Sequence, residues 1–150
     1  MNQQRRNLLK STAIFGLMAS AGLISTAQAQ EWSKAAFEGK SLDDVFKALN
    51  TSTPEKSGAI SLNVPDIAEN GAVVPIGLST TLKAEQIAIL VEKNPNTLVG
   101  QFYFPAGAEP FIATRIKMAQ TSPVYFLVKA EGKWYMAAKE IKVTLGGCGG

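Results

Sequence analysis

The sequence predicts a mainly β fold, an immunoglobulin-like antiparallel β-sandwich with a short N-terminal helix and a flexible C-terminal arm. Three observations support this. Most of the 150-residue chain alternates apolar and polar residues with a period of two. The alternating runs are short, and turn-forming residues separate them about every ten residues. Only one segment has helical spacing. The single cysteine excludes the disulfide of true immunoglobulin domains, so the prediction concerns architecture alone.

The helical segment lies within residues 31–50. Ser41 is the predicted N-cap, and Asp43 and Asp44 follow in the first turn, where the helix dipole favours negative charge. Residues spaced i, i+3, i+4 and i+7 form one apolar stripe along it: Leu42, Val45, Phe46 and Leu49. A short helix is therefore expected before the first strand.

Eight apolar runs with the spacing of a strand follow, and they predict six or seven strands. The runs cover 60–64, 74–78, 87–91, 98–104, 112–118, 124–128, 134–138 and 141–145. A turn is predicted at Glu131-Gly132-Lys133. The apolar positions are even in the run before Lys139 and odd in the run after Glu140. Because a period of two cannot change phase without an extra residue, we predict a β-bulge or break near Lys139–Glu140.

Some strands carry apolar residues on both faces, whereas a small sandwich normally leaves one face of each sheet polar. These places are Val73–Val74, Tyr125–Leu127 and Val99–Tyr103. We therefore predict that the domain buries an apolar face against a partner subunit. Tyr103 and Tyr135 are candidates for that face, because they alternate with aromatic residues assigned to the core, namely Phe102, Phe104 and Trp134.

Residues 1–29 are predicted to be an export signal. A basic start precedes an apolar stretch of about a dozen residues, too short to span a bilayer, and Ala27-Gln28-Ala29 has the pattern of a cleavage site. The adjacent Arg5 and Arg6 resemble a twin-arginine motif, which is read by a receptor that passes folded cargo. An ordinary secretory signal is the alternative. Either signal implies a periplasmic domain over residues 30–145 without a membrane anchor.

Charge and composition exclude several classes of function. The net charge is +3, but Arg5, Arg6 and Lys10 carry three of the fifteen positive charges, and the remaining twelve balance twelve Asp and Glu. A neutral domain has no electrostatic footprint for nucleic acid or anionic membrane. The absence of histidine excludes a Ser-His-Asp site and metal sites built on imidazole. We predict neither a metal nor a cofactor.

The most informative feature is the C-terminal sequence Gly-Gly-Cys-Gly-Gly. Its only side chain is that of Cys148, the single cysteine, and its glycines are Gly146, Gly147, Gly149 and Gly150. Glycine offers the most backbone freedom. Cys148 lies three residues beyond the apolar Leu145, which is roughly 10 Å when extended. Residues 146–150 are therefore predicted to be a thin, flexible arm that could enter a narrow cleft.

The surroundings of this thiol suit a carrier better than an enzyme. A catalytic cysteine needs a lowered pKa and a fixed geometry, and no histidine or flanking side chain is present to supply them. An exposed, unpaired thiol in an oxidising compartment forms an intermolecular disulfide, becomes oxidised or holds a sulfur adduct. The alternatives are a binding or assembly module that uses Cys148 only for an intermolecular disulfide, a thiol enzyme, and a structural or incidental cysteine.

The twin-arginine-like start, the small β domain and the Gly-Gly-Cys-Gly-Gly ending together resemble the SoxY family, the sulfur carriers of periplasmic thiosulfate oxidation. The resemblance implies a non-enzymatic subunit whose Cys148 carries the substrate on an arm of glycines. It also implies a SoxZ-like β subunit as partner. A haem-containing enzyme would couple thiosulfate to the thiol as an S-thiosulfonate, and a hydrolase would release sulfate. Where present, a molybdenum enzyme would oxidise the remaining sulfane sulfur.

Overall fold

The computed structural model describes residues 34–145 of the chain. Several residues singled out from the sequence lie outside this part, at both ends: Arg5, Arg6, Gly146, Gly147, Cys148, Gly149 and Gly150. The predicted boundary between signal and domain, after residue 29, also lies outside it. Those assignments therefore stay predictions.

Two β-sheets face each other, which confirms the predicted sandwich. The strands in the described part are β1 (Glu55–Lys56), β2 (Ile60–Asn63), β3 (Ile67–Ala68), β4 (Val74–Thr80), β5 (Ala84–Val91), β6 (Leu98–Tyr103), β7 (Phe111–Ile116), β8 (Ser122–Ala130) and β9 (Lys133–Val143). The larger sheet has the order β1-β9-β8-β5-β6, with β3 also pairing with β9, and the smaller has the order β2-β4-β7. All long pairs are antiparallel, whereas the two-residue strands β1 and β3 run parallel to β9.

The predicted helix is present, and it begins directly after the predicted N-cap, Ser41. Residues 34–38 are helical (α1), and a second helix spans Leu42–Ala48 (α2). The Asp44 backbone N donates to Ser41 Oγ at 3.2 Å, and the Ser41 backbone N donates to Asp44 Oδ2 at 3.2 Å. This reciprocal pair is a capping box. Hydrogen bonding from Ser41 also holds the pKa of the Asp44 carboxyl below its usual value.

We expect Ser41→Ala to lower the free energy of unfolding by about 1 kcal/mol, because it removes the acceptor for an otherwise unsatisfied helix N–H. Denaturant titration followed by circular dichroism measures the change. Ser61→Ala, at an exposed position of β2, is the matched control and should change stability by less than about 0.5 kcal/mol. Equal stability of the two variants would show that the capping box does not hold α2.

The main core lies between the two sheets. It is built from inward-facing residues of both sheets and of the connections between strands: Ile60, Val64, Ala68, Val74, Ile76, Leu78, Ile87, Ile89, Val91, Ile112, Ile116, Met118, Val124, Phe126, Val128 and Ile141. Most of them follow the period of two that the sequence shows. The alternation therefore predicted the burial of the sandwich interior.

A second core covers the outer face of the larger sheet beneath the helices. It comprises Ala36, Val45, Ala88, Leu90, Leu98, Leu127 and Trp134. Because this layer covers Leu127, the apolar pair Tyr125–Leu127 does not mark a face left for a partner, and that part of the prediction is wrong. Tyr125 packs against the same core, and its hydroxyl donates to Glu92 Oε2 at 2.9 Å. Burial, together with this carboxylate, raises the pKa of Tyr125.

The two cores also show that the predicted bulge near Lys139–Glu140 is wrong. The register between β8 and β9 runs without a shift from Ser122↔Ile141 to Ala130↔Lys133. The change of phase arises because Trp134 faces the second core, whereas Ile141 faces the main core. Strand β9 pairs with β8 without a register shift. Its start contributes Trp134 to the second core, and its end contributes Ile141 to the main core.

Irregularities occur instead at the two ends of β5. Its register shifts between Ile89 and Leu90 against β6, and between Ala84 and Gln86 against β8. The first shift moves Leu98 to the second core, whereas Phe102 stays against the main core. The apolar run 98–104 therefore does not lie on one face.

The tyrosines assigned to a partner face differ from each other. Tyr103 is 65% exposed, as predicted. Tyr135 packs against the main core, so its assignment is wrong. The reason is that Trp134 is buried under the helices rather than inside the sandwich, which turns its neighbour Tyr135 inward. Phe102 and Phe104 are partly buried against the main core, as predicted.

Candidate functional site

We call residues 146–150 the C-terminal segment. The candidate site is the base of this segment, the end of the described chain from which it starts. Strand β9 ends at Val143, and Thr144 and Leu145 complete the described part of the chain. The predicted carrier residue Cys148 and its glycines lie beyond it. The structure thus describes the residues from which the segment starts, three positions before the thiol.

The segment 66–73 holds this base from one side. β3 pairs with the end of β9, with Ala68 opposite Val143. The Thr144 backbone N donates to the Ala68 carbonyl at 3.1 Å, and the Gly71 N donates to the Leu145 carbonyl at 2.7 Å. Thr144 Oγ1 donates to the Glu69 carbonyl at 2.9 Å. The backbone is therefore anchored as far as Leu145.

The segment from Met118 to Thr121 joins the same network. The Val143 backbone N donates to Thr121 Oγ1 at 2.9 Å. The Met118 N donates to the Gly71 carbonyl at 2.7 Å. Within 66–73, Asn70 Oδ1 accepts from the Ala72 N at 2.8 Å, which closes a turn. The base is consequently held by hydrogen bonds to two parts of the chain, the segment 66–73 and Thr121.

An ion pair orients the start of β3. Lys139 Nζ lies 2.8 Å from Asp66 Oδ1 and donates to the Val64 carbonyl at 3.2 Å. The hydrogen bond from Lys139 holds the pKa of the Asp66 carboxyl below its usual value. Because the carboxyl is largely exposed, water screens the pair, and we assign it a role in orientation rather than in stability.

Exposed apolar side chains concentrate around this base. In the described part of the chain, the large exposed apolar residues are Phe37, Ile67, Val73, Tyr103, Phe111 and Leu145. Three of the six, namely Ile67, Val73 and Leu145, belong to the segment 66–73 or to the residue bonded to it. The base therefore combines a fixed backbone with an apolar surface.

Residues 34–145 contain no group of three or more His, Cys, Asp or Glu side chains that could hold a metal ion. In the same residues, no helix has the length and apolar character needed to cross a membrane. A shallow depression of about 530 Å³ on the smaller sheet is lined by residues that include Asn63, Pro75, Phe111 and Arg115. Its lining includes the cation of Arg115 but no carboxylate.

Sequence reasoning missed the segment 66–73 as part of the site. β3 has only two residues, too few for periodicity to reveal, and its partner lies more than seventy positions away in β9. The one local signal was the turn chemistry of Asn70-Gly71. That signal predicts a turn but not its contact with the end of the chain.

Comparisons with known proteins show the family of the chain. The profile of the family described as sulfur oxidation protein SoxY matches residues 45–148, more than half of the chain. The solved structure of the sulfur carrier protein SoxY from Chlorobium limicola f thiosulfatophilum is 36% identical, with a TM-score of 0.64. The match covers 75% of this chain and 99% of that one.

A superoxide reductase (neelaredoxin) from Ignicoccus hospitalis is similar in fold alone, at 17% identity and a TM-score of 0.51, over 57% of this chain and 80% of that one. No curated protein sequence matches the chain. The family match and the 36% identical structure support a sulfur-carrier role, and the chain belongs to the SoxY family of sulfur oxidation proteins.

Proposed function

We propose that this protein carries sulfur intermediates of thiosulfate oxidation on the thiol of Cys148 and presents them in turn to separate enzymes. The observation that carries the proposal is the family match, whose matched residues extend to Cys148 itself. The anchored base at Leu145 supports it, because the thiol then starts from a defined place on the surface. The protein acts as a carrier subunit and not as an enzyme.

The proposed chemistry begins with an oxidative coupling. The sulfane sulfur of thiosulfate bonds to Cys148 Sγ, the thiol loses its proton, and two electrons pass to the haem-containing enzyme. Hydrolysis follows, in which water cleaves the bond between the sulfane sulfur and the sulfonate group. Sulfate leaves, and Cys148 retains a persulfide. The partner enzymes supply activation of the thiol, because the whole chain lacks the histidine that usually does so.

Export and assembly belong to the same proposal. Arg5 and Arg6 direct the chain through the twin-arginine route to the periplasm, and this route passes folded cargo. The domain pairs with a SoxZ-like β subunit, which is exported with it. The exposed Tyr103 is a large apolar side chain that such a subunit could cover.

Intact-mass measurement tests the proposal against its main alternative, a module that uses Cys148 only for an intermolecular disulfide. The protein is incubated with thiosulfate, the haem-containing coupling enzyme and an electron acceptor. A carrier gains a discrete sulfur-containing adduct that reductant removes. A disulfide module shows only a doubled mass, with or without thiosulfate, and that result would overturn the carrier proposal.

We expect Gly147→Ala or Gly149→Ala to slow adduct formation and sulfate release about tenfold, equivalent to ~1.4 kcal/mol. Each methyl group widens the chain beside the thiol, and alanine loses the positive-φ conformations that glycine adopts. The matched control is Gly58→Ala, because a Cβ at Gly58 meets nothing within 4 Å. Reactivity toward a small disulfide reagent should not change. If the variants match the control in both enzyme steps, the glycines are incidental.

A further inference from the structure

We propose that Ile67, Val73 and Leu145, which we call the exit patch, dock the apolar rim of the entrance to an enzyme that acts on sulfur bound to Cys148. The inference rests on the proposed function. It deepens that function by naming the surface through which such an enzyme recognises its carrier.

Chain length limits where such an enzyme can sit. Cys148 is three residues beyond Leu145, so its Cα lies at most about 10 Å from that of Leu145. The Leu145 carbonyl is itself held by the Gly71 N–H at 2.7 Å. An enzyme whose active site admits only residues 146–150 must therefore bring the entrance of that site against the surface around Leu145.

The segment offers that enzyme little to recognise. Apart from Cys148, residues 146–150 are glycines, which supply backbone groups but no side-chain surface. Discrimination of this carrier from other thiols must then come from the surface at the base. Side-chain packing in the centre of an interface carries most of its affinity, and polar rims contribute less.

The exit patch can supply this recognition because its side chains are exposed and its backbone is held in place. Ile67 is 57% exposed, Val73 52% and Leu145 65%. Backbone hydrogen bonds from Lys142 N to Asp66 O and from Gly71 N to Leu145 O anchor the base beside Ile67 and at Leu145. Val73 is held by a turn within the segment 66–73, in which its N donates to Asn70 O. A partner can thus bury three apolar side chains without ordering a loop, and the entropic cost of binding stays low.

The experiment measures loading of Cys148 by the haem-containing coupling enzyme as the concentration of carrier is varied. Ile67→Ser, Val73→Ser and Leu145→Ser are compared with wild type. The matched control is Phe111→Ser, which removes an equally exposed apolar side chain (60%). Val74, the neighbour of Val73, pairs with Ile116 at one end of β7. Phe111 lies at the other end of that strand, roughly 17 Å away along it.

Each exit-patch variant is expected to lose about tenfold in kcat/KM, and the loss should come from KM, because docking is weakened and the chemistry is not. The control should load as wild type does. Melting temperature and reactivity toward a small disulfide reagent should stay unchanged in all variants, since the altered side chains are exposed.

Three results would overturn the inference. They are loading of the exit-patch variants like wild type, an equal loss in Phe111→Ser, and dissociation of the exit-patch variants from the SoxZ-like subunit, which would assign the patch to that interface. In these cases wild type still gains its adduct, and only the docking surface is wrong. If wild type gains no adduct, the proposed function fails, and the exit patch fails with it.

Discussion

We expect Cys148→Ser to abolish thiosulfate-dependent turnover and to leave the free energy of unfolding within about 0.5 kcal/mol of wild type. Serine keeps the shape of the side chain, but its hydroxyl cannot form the sulfur–sulfur bond that holds the intermediate. We expect no change in stability because Cys148 lies beyond Ile141, the last fully buried core residue of β9, and outside the alternating apolar pattern. Turnover is measured as sulfate released with all partner enzymes present.

Alkylation of the wild-type thiol is the control for this substitution, because it blocks the same atom without a change of sequence. It should remove turnover to the same extent. A Cys148→Ser variant that still releases sulfate would exclude the carrier mechanism. A marked fall in melting temperature would instead show that the thiol is packed against the domain.

Phe126→Ala is expected to have the largest effect on stability, a loss of about 3–5 kcal/mol. Phe126 is fully buried in the centre of β8, between Ile89 of β5 and Ala137 of β9. Removing the ring loses its transfer free energy and leaves a cavity between the sheets, because two strands in register limit how far the site can collapse. Denaturant unfolding measures the loss.

Phe111→Ala is the matched control, since the same side chain is removed from an exposed position of β7. It should change the free energy of unfolding by no more than about 0.5 kcal/mol. Similar losses for both variants would contradict the assignment of the main core to the space between the sheets.

Local patterns predicted the elements that depend on neighbouring residues. The stripe behind Ser41 predicted α2, and the capping box explains why it holds. The turn after β8 was also predicted from Glu131-Gly132-Lys133. In the structure Glu131 has a φ of 51° and Gly132 of 75°, so the two central residues take the left-handed conformations that suit a tight hairpin. These features need no knowledge of the rest of the fold.

Long-range packing could not be predicted in the same way. The phase change between Trp134 and Ile141 was interpreted as a bulge, because an alternating pattern shows that a face is buried but not what covers it. The cover at Trp134 comes from helices about ninety residues earlier in the chain. Tyr135 was misassigned for the same reason. The contact of β3 with the end of β9 is equally distant in sequence and produces no local pattern.

Mapping the adduct to a residue tests the central claim, that sulfur is carried on Cys148, most directly. Protein loaded with thiosulfate by the coupling enzyme is digested with trypsin, which cleaves after Lys142 and releases residues 143–150. Tandem mass spectrometry of this peptide is predicted to show the S-thiosulfonate on Cys148. Addition of the hydrolase before digestion should convert it to a persulfide. Sulfate release with a Cys148 peptide that remains unmodified at every time point would contradict the account.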